Sequence, residues 1–127
     1  MKISASEHIY QALTSHAGIA KAVGKKVFPI ATKSEVKFPF IVYEKESVDP
    51  IRDKMGVNAV NMDYSIYVLA ESYSEAENIA EMVANRLDHY KARYDSFEVI
   101  AANVTDVPES YVNQTYIQQV RIKFTIK

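Results

Sequence analysis

A chain of 127 residues, 48% of them hydrophobic and 24% charged, is the size of one domain, residues 1–127, and can bury a core without staples. Fifteen Lys and Arg against sixteen Asp and Glu leave a net charge of −1, which gives no global positive field for nucleic acid, and the absence of cysteine excludes a disulfide framework and thiolate metal ligation. No apolar run approaches the ~18–20 residues that span a bilayer, and the amino terminus lacks an apolar signal region, so the expectation is synthesis in the cytoplasm and no membrane partner.

Ser4 and Glu7 have capping-box spacing, and Ile9, Ala12 and Leu13 share a side, which predicts a first helix from about Ala5 to Ala17 with Gly18 beyond its end. A second helical turn, Ile19 to Val23, closes at Gly24. Lys25 to Pro29 then reads as a short extended piece ended by the proline. The stretch Ala31 to Lys37 is polar and expected to be a surface loop.

Phe40 to Glu46 reads as a strand, apolar on both faces at its start. Asp49 to Asn58 is rich in turn formers and reads as a long loop, which in a compact domain tends to be functional or mobile. It carries Ile51, Arg52 and Met55. The two apolar side chains either fold back on the sheet or contact a partner that orders the loop.

The stretch from Val57 to Leu87 organises the chain. Val60, Met62, Tyr64, Ile66, Val68 and Ala70 alternate with Asn61, Asp63 and Ser65, the period of a half-buried strand. The period then changes: Ala76, Ile79, Ala80, Val83, Leu87 and Tyr90 recur at threes and fours, giving an amphipathic helix. Both Ser74 with Glu77 and Ser72 with Glu75 can cap it, so its first residue is left open. Phe97 to Asp106 forms a further strand, Val107 to Asn113 a loop containing Pro108, and Gln114 to Lys127 a last strand. In that strand Val120, Ile122, Phe124 and Ile126 lie opposite Gln119, Arg121, Lys123 and Thr125.

The order helix, short strand, hairpin, helix, hairpin is that of an α+β domain: a mainly antiparallel sheet of about four main strands with two principal helices on one face. The expected core is Leu13, Val42, Ile66, Val68, Ile79, Val83, Leu87, Val120, Ile122 and Phe124.

Residues suited to catalysis do not converge. His8, His16 and His89 are spaced against sharing a metal and read as solvated surface histidines. Gly18 to Lys26 has five residues between its glycines and no Ser or Thr after the lysine, so it is not a phosphate loop, and its glycines read as helix ends. Neither a G-x-S-x-G elbow nor a cysteine nucleophile occurs, and Glu44/Glu46 and Glu75/Glu77 read as solvated pairs. Lys25, Lys26, Lys33 and Lys37 form a modest basic cluster without interleaved aromatics. These features favour a structural or assembly protein that needs no cofactor.

Four stretches together resemble the family of tailed-bacteriophage neck and tail-completion proteins, the tail terminators. They are Ile9 to Leu13 with Gly18 to Pro29, Phe38 to Tyr43, Ile66 to Val68 running through Ser72 to Ala76 and on to Leu87, and Tyr116 to Ile126. The chain departs from the family in having Lys26 where an arginine is usual, and the Asp49 to Asn58 stretch matches no family pattern. The resemblance implies a non-enzymatic virion component made in the bacterial host. It forms a homo-oligomeric ring, commonly hexameric, that caps the tail tube and docks the head connector, with DNA at most passing through. Its partners would be further copies of itself, the tail-tube protein and the head-connector protein. The ring would close at high concentration or only on a tail tube. The candidate contacts are Ile51, Arg52 and Met55, the surface around Tyr73, and the strand face of Gln119, Arg121 and Lys123. The competing readings are another neck or head-closure protein of the virion, and a small bacterial α+β enzyme or ligand-binding domain.

Overall fold

The computed structural model describes residues 1–32 and 35–127, so Lys33, and with it part of the expected polar loop and basic cluster, lies outside the described residues. The order of elements is α1 (Ser6–Thr14), α2 (Ala17–Val23), β1 (Val27–Pro29), β2 (Phe40–Asp53), β3 (Gly56–Ala70), α3 (Tyr73–Leu87), β4 (Ala92–Arg93), β5 (Glu98–Asp106), β6 (Glu109–Val112) and β7 (Thr115–Ile126). The class is α+β. The detail differs from the expected four strands and two helices: among the described residues there are seven strands in one sheet and three helices.

The sheet runs β1-β2-β3-β7-β5-β4, with β6 also paired to β7. Every pairing is antiparallel except the short β1 with β2. At its centre, β3 and β7 pair from Val60 opposite Ile126 to Ala70 opposite Tyr116. Partners across a ladder share a face, so the alternation of both strands sends Met62, Ile66 and Val68 together with Val120, Ile122 and Phe124 into the core. Ala76, Ile79, Ala80, Val83 and Leu87 of α3 cover them. Complete burial of a Val, Ile or Leu is worth ~1.5–3 kcal/mol, so this helix face anchors the fold.

Of the two serines Ser72 caps α3: its hydroxyl accepts from the Glu75 N–H at 3.3 Å. The box expected at α1 does not form. Its N-cap is Ala5, and Ser4 Oγ accepts instead from the Ser6 N–H at 3.1 Å. That helix also stops at Thr14, and His16 caps α2 by accepting from the Ile19 N–H at 3.2 Å. Gly18 therefore sits inside α2 and ends nothing. A Cβ there would lie 2.8 Å from Met82 Sδ of α3, so a larger residue would have to displace the end of the Met82 side chain. Gly24 does terminate α2, at φ +64. Arg86 of α3 donates through Nε to the Ala12 carbonyl at 2.9 Å, which holds α1 to α3.

Three expectations about strands fail. Asp49 to Asn58 is not a loop: β2 and β3 stay paired as far as Asp53 opposite Gly56, leaving only Lys54 and Met55 as the turn. Val107 to Asn113 likewise contains β6, paired to β7. Pro50 and Pro108 made both segments look irregular. Pro50, however, lies where β2 has run past β1, on a free sheet edge that tolerates a proline, and Pro108 lies between strands. Val42 also leaves the core: the run Phe40 to Tyr43 has no alternation, and pairing of Ile41 with Val68 and Tyr43 with Ile66 turns Val42 to the other face.

Candidate functional site

The side chains singled out from the sequence fall on three separate surfaces. Ile51, Arg52 and Met55 belong to an arm. The last β7 pair on β3 is Val60 with Ile126, and the β2–β3 hairpin continues past it through Ile51 opposite Ala59, Arg52 opposite Val57 and Asp53 opposite Gly56. Asp53 Oδ1 accepts from the Met55 N–H at 2.8 Å and Gly56 takes φ +110, which makes the tight turn possible. Met55 at the tip is 94% exposed, and Ile51 and Val57 are also exposed. Apolar side chains held out on a paired hairpin cannot fold back on the sheet that carries them.

Tyr73 lies at the opposite end of β3, at the start of α3. Its hydroxyl donates to Glu109 Oε2 at 2.9 Å, and Gln118 Nε2 donates to the same oxygen at 2.7 Å. Glu109 first, and Glu77 after it, push the Tyr73 hydroxyl up to about 12 by holding its proton. Tyr73 and Tyr116 meet edge to face at 5.9 Å between ring centroids, and Tyr111 tilts against Tyr116 at 4.7 Å. With Ser110, Ile117 and Gln118 these residues line an open cleft of about 280 Å³. The strand β6 that forms one wall is exposed throughout. Sequence reasoning found Tyr73 and missed its companions, because β6 was read as loop.

Gln119, Arg121 and Lys123 project from the face of the sheet away from the helices. There they meet partners within the sheet. Gln119 Nε2 donates to Ser65 Oγ at 2.9 Å, Ser65 Oγ donates to Glu46, Lys123 lies 4.0 Å from Asp63, and Arg121 lies 3.5 Å from Asp106. Ser47 Oγ donates to Asp63 at 2.8 Å and the Tyr67 hydroxyl to Glu44 at 2.8 Å. Burial, then the Glu44 hydrogen bond, raise the Tyr67 hydroxyl. Glu44 and Glu46 are thus bonded members of a polar sheet face. Exposed pairs such as Lys123 with Asp63 are worth ~0–1 kcal/mol, so this face is wet and available more than it is stabilising.

Of the three histidines, His8 is a correction. It is buried against Tyr90, Tyr94 and Phe124, with Nδ1 2.8 Å from the Tyr94 hydroxyl. His16 caps α2 as described, and His89 is exposed beside Asp88 at 3.5 Å. Among the described residues no three His, Asp or Glu side chains group as metal ligands, and no helix is long and apolar enough to cross a membrane.

Comparison with known proteins gives two findings. The model of a family described as "Tail completion protein gp17" matches residues 7–126. Among solved structures, a chain of "Virion of native gene transfer agent (GTA) particle" superposes with a TM-score of 0.82 at 17% identity, over 93% of this chain and 90% of that one. At that identity the likeness is one of fold. Comparison with curated proteins gives no match.

Proposed function

This chain belongs to the tail completion protein gp17 family, a family of phage-like virion tail proteins, and from that premise we propose that it is a tail terminator. In this reading it is a non-enzymatic subunit of a homo-oligomeric ring, of six copies, made in the host cytoplasm and built into the virion. The ring caps the finished tail tube, offers its other side to the head connector, and lets DNA pass. The observation that carries the reading, beside the family match over residues 7–126, is the exposed apolar arm tip of Ile51, Met55 and Val57. A monomer that stayed alone would gain nothing from it, whereas a neighbouring subunit or the tube would bury it. Closure into a ring needs a heterologous contact whose rotation returns on itself.

Weak subunit contacts strengthened by the tube would keep rings from forming before the tube is finished, since binding to a template raises the local concentration of neighbours. The test is genetic. Removing the gene from its phage or prophage should give overlong or unjoined tails that are rescued by the wild-type chain but not by an Ile51→Asp, Met55→Asp variant. Normal infectious particles would eliminate the proposal, and tails of correct length that fail only to join a head would favour a head-closure role instead.

A further inference from the structure

We infer that the hairpin arm of one copy seats its tip in the tyrosine cleft of the next copy, so that the ring is held head to tail by these two features. The inference rests on the ring proposed above and names its interface. Three observations carry it. First, arm and cleft lie at opposite ends of β3, the arm before Val60 and the cleft beside Ala70, where Tyr116 pairs. At about 3.3 Å per residue that strand separates them by roughly 35 Å or more, so one chain cannot bring them together and two chains can. A contact between two different patches is heterologous, the kind that closes rings.

Second, the surfaces match in chemistry. The tip presents Met55, 94% exposed, and a thioether packs favourably against aromatic rings; the cleft presents the rings of Tyr73, Tyr111 and Tyr116. Third, they match in charge. Arg52 and Lys54 flank the tip and outweigh the intervening Asp53, whose carboxylate turns back to the Met55 N–H, so the tip carries a net positive charge. Among the described residues the only charged one lining the cleft is Glu109, with Glu77 close enough to act on Tyr73. Complementary charge of this kind steers encounter and selects register more than it adds affinity.

The absence of cysteine from the chain makes a direct test simple. A Met55→Cys, Ser110→Cys double variant changes two exposed positions and leaves the three tyrosines in place. Purified particles carrying it are treated with a short bismaleimide, and the chain is followed by immunoblot. The expected result is a ladder of cross-linked copies ending at the closed ring, absent from particles carrying either single variant. A chain present in particles but giving no ladder, or giving dimers from Met55→Cys alone, overturns the head-to-tail contact while leaving the terminator role standing. Cross-linking of Met55→Cys to another virion protein would assign the arm to that protein and equally overturn it. A wild-type chain absent from the particles removes the terminator proposal and this inference with it.

Discussion

The imidazole of His8 and the hydroxyl of Tyr94 lie 2.8 Å apart although 86 residues separate them in the chain. They join α1 to the segment following β4, over Phe124 of the sheet. Burial lowers the His8 pKa from 6.5 to about 4, partly opposed by the Tyr90 backbone, with the nearby Arg86 as the least of the three causes. Nε2 makes no hydrogen bond among the described residues, consistent with an imidazole held neutral.

Stability should therefore depend on pH in a defined window. Above 6.5 the imidazole is neutral whether folded or not. As pH falls from 6.5 to about 4 the unfolded chain takes up a proton that the folded chain refuses, so stability drops, and below about 4 the loss levels off. The full loss is on the order of 3 kcal/mol. Urea midpoints measured from pH 7 to 4 should show this slope in the wild type and a shallower one in His8→Gln; parallel slopes would mean that other groups carry the acid sensitivity.

Val83 is fully buried between α3 and the sheet. Val83→Ala should lower stability by roughly 1–3 kcal/mol, read as a reduced urea midpoint at unchanged m-value. An unchanged midpoint would contradict the assigned helix face.

What was legible in the sequence was whatever had a strong period. β3, α3 and β7 carry unambiguous alternation or three-and-four spacing over a dozen residues or so, and their inward apolar residues are those expected, except that α3 ends at Leu87 and leaves Tyr90 beyond it. Three kinds of signal were not legible. Pro50 and Pro108 punctuate segments that pair nonetheless, because a free edge or a strand junction needs no N–H from them. The four apolar residues Phe40 to Tyr43 leave the choice of face to pairing with β3. His8 looked solvated because its type is usually exposed, although its spacing of three from Ala5 and four from Ala12 put it on the buried stripe. The grouping of the candidate contacts into an arm, a cleft and a polar face depended on β6 and on the length of the β2–β3 hairpin.

Gly18 gives a test of helix packing. Alanine has the better helix propensity by up to ~1 kcal/mol, yet its Cβ would crowd Met82 Sδ at 2.8 Å. Gly18→Ala should therefore fail to stabilise the protein, and combined with Met82→Ala it should cost less than the two single losses summed, with a coupling of ~0.5–3 kcal/mol. Strict additivity would place the helices further apart.

The arm should report assembly through its backbone. Residues 51–59 form a two-stranded ribbon past the last β7 pair, and such ribbons are marginal alone. Amide exchange there should be fast in the free protein and slowed at least tenfold in the assembled particle, while Ile66 and Val120 stay protected in both. Equal protection of the arm in a dilute monomer would show that no partner orders it.

The most direct test of the terminator reading is cryo-electron microscopy of particles from a phage or prophage that carries this chain. The prediction is one closed ring of six copies at the head-proximal end of the tail, with the tube below it and the connector above. Copies distributed along the tail, or particles that lack the chain altogether, would contradict it.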